Sequence, residues 1–244
     1  MNTFLGILIP FLGTTLGACC VFFMRRSLGE RVQRMLTGFA AGVMSAAAVF
    51  SMLLPAMRQK AGGWLTVTLG FALGAAMIAG VDAFLGRTQR LQGVSASAKR
   101  RLMMYAAITL HNIPEGMAVG LAFALAGVEG GFAGAAVLAL GIGVQNLPEG
   151  LAVALPFRAG GMSRGRSFAL GALSGAVEPV FGMLAALAAG MMQGALPGMM
   201  AFCAGAMMQV VFAEMAPQAA KSRVGLFALM TGYALMMALD LALG

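Results

Sequence analysis

Two short stretches of this 244-residue chain repeat one another: His111-Asn112-Ile113-Pro114-Glu115-Gly116 and Gln145-Asn146-Leu147-Pro148-Glu149-Gly150. The match runs on as Met117-Ala118-Val119 against Leu151-Ala152-Val153. On a helix, residues separated by four positions share a face, so His111 lies beside Glu115 and Gln145 beside Glu149. Together they offer an imidazole nitrogen, an amide oxygen and two carboxylates. That set suits Zn²⁺ or another divalent first-row metal better than Ca²⁺. The asparagine of each motif also neighbours its glutamate, so Asn112, Asn146 and Glu178 could form a second site beside the first, with Glu115 and Glu149 bridging both. Pro114 and Pro148 lack an N–H and leave the carbonyls of Leu110 and Val144 without their helix partners. Kinks at that level would give an ion room and further oxygen ligands.

Two other chemistries need weighing. An intramembrane metalloenzyme would want HExxH or an equivalent, but His111 is the single histidine of the chain. A secondary transporter of an organic solute would instead use Glu115, Glu149 and Glu178 as a proton relay. Cys19, Cys20 and Cys203 stand in apolar runs without a CxxC pair and read as packing residues, and the 22 methionines read as adaptable apolar filler. No cofactor is expected, and a metal ion would be cargo.

The elements that carry these residues are membrane helices. The chain is 60% hydrophobic and holds 16 Lys and Arg with 8 Asp and Glu, too few charges to coat a soluble domain of this size. Polar joints divide it into eight apolar segments near 3–24, 35–57, 62–85, 102–126, 130–157, 168–193, 195–219 and 224–243. At about 1.5 Å per helical residue each can cross roughly 30 Å of hydrocarbon. We therefore expect an all-α membrane protein: one transporter domain over 1–244, with eight transmembrane helices. The start of the chain reads as a first span and not as a cleaved leader, because Arg25 and Arg26 follow the apolar run.

Charge fixes the direction. The odd joints hold Arg25, Arg26, Arg31, Arg34, Arg87, Arg90, Lys99, Arg100, Arg101, Arg158, Arg164, Arg166, Lys221 and Arg223, whereas the even ones hold Arg58 and Lys60. The bias puts the odd joints in the cytoplasm and both termini outside. It also disposes of nucleic acid as the reason for the net charge of +8. Spans four and five then run in opposite directions, and two copies of one motif facing opposite ways suggest an inverted repeat.

Depth isolates the unusual residues. Glu30 and Glu129 lie in joints, and Asp240 is near the outer end of span eight. Asp82 and Glu214 face the cytoplasmic side, where either could serve an exit path. From the flanking arginines, His111 lies roughly 15 Å, Glu149 roughly 13 Å and Glu178 roughly 18 Å inside the membrane. A charge at such depth costs about 2.5–3.5 kcal/mol on insertion scales, so it usually marks function. Small residues at helical spacing (Gly38 and Gly42, Gly70 and Gly74, Gly116 and Gly120, Gly171 and Gly175) read as close helix packing.

The paired motif, HNIPEG on a fourth span and QNLPEG on a fifth, resembles the ZIP family of Zrt-/Irt-like divalent metal transporters, in its prokaryotic-type branch. The resemblance covers the whole chain. It implies a first metal site of His111, Glu115, Gln145 and Glu149, and an adjoining second site of Asn112, Glu115, Asn146, Glu149 and Glu178. It further implies Zn²⁺ as cargo, with Cd²⁺, Mn²⁺ or Fe²⁺ as alternatives, carried from the outside or periplasm into the cytoplasm across the inner cell membrane. A helix bundle sliding like an elevator and a homodimer embedded in lipid complete what the resemblance implies. Many ZIP members carry His-Glu-x-Pro-His-Glu in span five, whereas Gln145, Asn146, Glu149 and Gly150 replace the His, Glu, His and Glu here. Fewer imidazoles leave less basis for strict zinc selectivity. The joint at 86–101 also lacks the His-rich run of many relatives.

Overall fold

The computed structural model describes residues 3–23, 29–59, 63–87, 96–129, 131–191 and 193–243. Arg25, Arg26, Lys60 and Arg90, and the side chains of Asp82, Arg87, Lys99, Arg100 and Glu129, lie outside what is described. The described residues form helical rods: α1 Thr3–Phe22, α2 Glu30–Arg58, α3 Trp64–Arg87, α4 Ala96–Glu129, α5 Phe132–Ala159, α6 Arg164–Met191, α7 Leu196–Ala219 and α8 Arg223–Leu243. Seven of them, all except α4, contain a stretch long and apolar enough to cross a bilayer. With no water inside hydrocarbon to bond a bare backbone, helices satisfy those groups internally.

Glycine decides how the rods meet. A Cβ on Gly13 would strike the carbonyl of Gly143, and one on Gly17 that of Leu147. Gly116 stands in the same way against the backbone of Glu178 and Gly120 against Gly182, Gly38 against Gly225 and Gly42 against Leu229, Gly70 against Gly198 and Gly74 against Phe202. In each set the numbers rise together, so the paired helices are parallel: α1 with α5, α4 with α6, α2 with α8 and α3 with α7. Among the described residues these four pairs make the most extensive helix contacts. Lipid tails are as apolar as leucine, so close backbone approach and dispersion, not expulsion of water, hold such helices together. Of the four glycine pairs picked out in the sequence, three meet backbone in this way; Gly171 and Gly175 face the side chains of Ala18 and Thr14.

The pairs assemble into two groups, α1, α4, α5 and α6 in one and α2, α3, α7 and α8 in the other, which meet chiefly where α4 touches α7 and α2 touches α5. A detail not expected from the sequence recurs in the second group. Residues 49–55 read Val-Phe-Ser-Met-Leu-Leu-Pro and residues 211–217 read Val-Phe-Ala-Glu-Met-Ala-Pro. Both lie in wide π-helical stretches, Ala47–Leu53 of α2 and Val211–Met215 of α7. At matching positions the Leu54 N–H reaches back to the Val49 carbonyl and the Ala216 N–H to the Val211 carbonyl. A proline cannot donate and crowds the carbonyl four residues earlier, and a widened turn before it relieves both problems. Pro114 and Pro148, by contrast, lie inside uninterrupted helices.

Two cavities lie at opposite ends of the bundle. One, about 580 Å³, is lined by the late part of α2 (Phe50, Ser51, Arg58) with Asp240 of α8. The other, about 650 Å³, is lined by the early part of α2 (Thr37) with His111, Glu149, Glu214 and Gln218. Each π-helical stretch therefore faces one cavity. The ends contributed by each rod also show that α4 and α5 run antiparallel, as do α2 and α7.

The glycine contacts yield a direct expectation. Gly42→Ala pushes a methyl into the Leu229 carbonyl and should destabilise the protein by about 1–3 kcal/mol, the usual range for overpacking. Gly80→Ala, whose Cβ meets nothing within 4 Å, should leave stability unchanged or slightly raised. Thermal unfolding of the two variants in detergent, monitored by circular dichroism, checks the pair.

Candidate metal centre

The seven residues picked out by the paired motif and by depth converge where α4, α5 and α6 adjoin. Glu115, Gln145, Asn112, Asn146 and Glu178 are fully buried and His111 is 8% exposed, while Glu149 is half-buried and opens on the larger cavity. Local sequence explains the convergence. Gly116, next to Glu115, lets α4 press onto the backbone of Glu178, and Gly150, next to Glu149, lets α5 press onto the Thr14 carbonyl. The helix α6 is broken at Ala176, so Glu178 occupies the first turn of the segment Val177–Met191. The positive end of that segment favours a carboxylate there.

A hydrogen-bond network joins the helices, and it is one-sided. Gln145 donates its Nε2 to Glu115 Oε1 at 3.0 Å, and Asn146 donates its Nδ2 to Glu178 Oε1 at 3.1 Å. Asn112 donates its Nδ2 to the Ser174 carbonyl at 2.9 Å. The Thr14 hydroxyl donates to Glu178 Oε1 at 2.9 Å. Every amide N–H₂ is thus engaged with protein, and the acceptor half of each group is left bare. Among the described residues nine buried side-chain atoms have no hydrogen-bond partner: Thr15 Oγ1 and Ser167 Oγ elsewhere, and here His111 Nε2, Asn112 Oδ1, Glu115 Oε2, Gln145 Oε1, Asn146 Oδ1, Glu149 Oε2 and Glu178 Oε2. All seven candidate residues contribute one.

Buried polar atoms are nearly always satisfied, and each bare one costs about 1–3 kcal/mol. The carboxylates also repel one another, Glu115 feeling both Glu149 and Glu178. Among the described residues no Lys or Arg is ion-paired with any of the three. Six oxygens and one imidazole nitrogen are hard and borderline donors of the kind that hold divalent ions.

The geometry also departs from the simplest reading of the spacing. Among the described residues no three His, Cys, Asp or Glu side chains gather into a ready-made metal cluster. Glu115 and Glu178 are each tied to an amide rather than to another carboxylate. His111 Nε2 leans towards Glu214 Oε1 across the group boundary, at 3.5 Å. Asp240 accepts from the Ser51 hydroxyl at 2.6 Å and lines the opposite cavity with Arg58. Cys203 is buried, but Cys19 and Cys20 are only partly so, and none is paired in a disulfide.

Thr14 was not anticipated. The hint available was a threonine between Gly13 and Gly17 on a span otherwise built for close contact, but its partner lies 164 positions away.

Comparison with known proteins places the chain. A family profile described as ZIP Zinc transporter matches residues 86–240. The zinc transporter GufA of Myxococcus xanthus is 35% identical over 245 residues, covering 95% of this chain and 94% of that protein. The zinc transporter ZIPB of Bordetella bronchiseptica is 36% identical over 256 residues, 98% of this chain and 81% of its own length. Zinc transporter ZIP11 of Xenopus tropicalis is 43% identical over 154 residues, 61% of this chain and 46%, about half, of that relative. The profile covers more than half of the chain and GufA aligns along nearly all of it, so this protein belongs to the ZIP family, a family of membrane transporters and not of enzymes.

Proposed function

We propose that the protein carries Zn²⁺, and with lower discrimination Cd²⁺, Mn²⁺ or Fe²⁺, from outside the inner membrane into the cytoplasm. The route passes through a binuclear site of His111, Asn112, Glu115, Gln145, Asn146, Glu149 and Glu178. The single observation that carries this reading is that each of the seven residues turns one buried, unpartnered atom into the site, six oxygens and an imidazole nitrogen, a set that a divalent cation would satisfy together. GufA and ZIPB, named as zinc transporters, support zinc as the principal cargo. The same two relatives weigh against an organic solute.

On this reading all eight rods span the membrane, with α4 kept in place by its neighbours despite its polar residues. Arg101, Arg158 and Lys221 mark one end as cytoplasmic, with both termini outside. The larger cavity opens His111 and Glu149 towards that end, whereas the smaller one touches none of the seven residues. This supports a release-ready state in which Glu214, beside His111, receives the departing ion. Loading would require the group α1, α4, α5 and α6 to shift against the group α2, α3, α7 and α8, closing one cavity and opening the site to the other. The matched π-helical stretches of α2 and α7 support an inverted arrangement for that exchange. We also propose a homodimer in the bilayer.

Two outcomes test the proposal. In proteoliposomes supplied with radiolabelled Zn²⁺, Glu115→Ala and Glu149→Ala should reduce uptake to background while the protein remains membrane-inserted. Parental uptake by either variant would refute the site. His111→Ala should raise the KM for Zn²⁺ at least about tenfold, since even residues behind a metal ligand are worth 10–100-fold. Competition by Cd²⁺, Mn²⁺ and Fe²⁺ should change with it, and an unaltered order of preference would remove His111 from the ligand set.

A further inference from the structure

Thr14 reaches the centre of the site from α1, a helix that supplies none of the seven candidate ligands. The threonine is fully buried. Its place is set by close backbone packing: the carbonyl of Thr14 lies against Gly150, as the backbone of Glu178 lies against Gly116. Gly116 and Gly150 occupy the same position in the two copies of the motif, so Thr14 and Glu178 are counterparts, one docked on each copy. On the opposite side, a Cβ at Gly175 would come within 2.7 Å of the Thr14 Cβ and 2.9 Å of its Cγ2. The side chain is therefore enclosed and oriented.

Its hydroxyl has two acceptors in reach. A threonine inside a helix ordinarily bonds the carbonyl four residues back, here Pro10, which lies 3.4 Å away. Glu178 Oε1 lies closer, at 2.9 Å. An O–H given to a carboxylate is a charge-assisted bond, roughly twice as strong as one to a neutral carbonyl. Asn146 Nδ2 supplies a second donor to the same Oε1 at 3.1 Å. With two donors on Oε1, the carboxylate cannot turn about its Cγ–Cδ bond without breaking both. Glu178 Oε2 is then the atom left bare and buried.

We propose that Thr14 is a positioning residue for the transported ion: its hydroxyl holds Glu178 Oε1 so that Oε2 faces the metal. The proposal rests on the metal-site reading given above. It assigns the hydroxyl, and not the methyl, as the group that matters.

The test compares Zn²⁺ uptake in proteoliposomes and equilibrium Zn²⁺ binding in detergent for the parent, Thr14→Val, Thr14→Ser and Glu178→Gln, each normalised to folded protein. Thr14→Val keeps the shape and removes the donor. We expect its KM and Kd for Zn²⁺ to rise about tenfold, in line with the loss of a group behind a metal ligand, with kcat within about twofold. Thr14→Ser restores the donor and should return both constants to within about twofold of the parent. A purely structural threonine would instead lower the amount of folded protein and leave KM alone. Should Thr14→Val fail to accumulate, Thr14→Ala, which also lacks the donor and adds no bulk, is read in the same way. Parental KM in the donor-free variant beside an impaired Glu178→Gln overturns the role of Thr14 alone. So does a Thr14→Ser variant as weak as Thr14→Val. Parental Zn²⁺ binding by Glu178→Gln overturns the ligand role of Glu178, and the role of Thr14 falls with it.

Discussion

Three carboxylates gathered in one helical core, two fully buried and Glu149 at the edge of a cavity, repel each other, and the protein supplies no Lys or Arg ion pair among its described residues to offset them. It supplies amides and a hydroxyl instead, each donating to one oxygen and leaving another acceptor exposed to its neighbours. Full neutralisation by arginine or lysine would build a stable ion pair and leave nothing for an ion to do. Partial satisfaction keeps the carboxylates oriented and still short of positive charge. On the proposed reading a divalent ion completes the balance for the time it resides there, and the same shortfall makes the site usable again after release.

Holding such a group together needs stiff, closely set helices, and the sequence invests its glycines there. Gly116 and Gly150 are the residues after the two motif glutamates, and each sits on the backbone of a neighbouring helix. A side chain at either place would part α4 from α6 or α5 from α1 and separate the donors from the carboxylates they orient. Further from the site, the glycine seams of α2 with α8 and α3 with α7 hold the second group. Contact between the two groups is less extensive and carries the polar link from His111 to Glu214. A boundary of that kind is where relative motion meets least resistance.

Much of this was legible in the amino-acid sequence. The repeated motif supplied six of the seven candidate residues and depth supplied Glu178, because the spacing of four on a helix is a local fact that burial cannot alter. Each rod overlaps one of the eight apolar segments, since hydrocarbon tolerates little else. The donors were not legible. Thr14 meets Glu178, and Asn112 meets the Ser174 carbonyl, only through the way three helices pack. Spacing alone implied that His111 joined Glu115 as a ligand pair; the fold also swings it towards Glu214 on another rod. The π-helical stretches went unseen because their signal, a valine-phenylalanine pair six and five residues before a proline, is weak until both copies are seen to widen alike.

The most direct measurement is X-ray absorption at the zinc edge on purified protein loaded with Zn²⁺. The account predicts a shell of oxygen and nitrogen alone at about 2.0–2.2 Å, with the multiple scattering of a single imidazole. The chain carries 22 methionines and 3 cysteines, so a competing sulfur environment is on offer elsewhere in the bundle. Sulfur scattering near about 2.3 Å, or no stably bound zinc, would contradict the claim that the bare acceptors around Glu115, Glu149 and Glu178 are there to hold the ion.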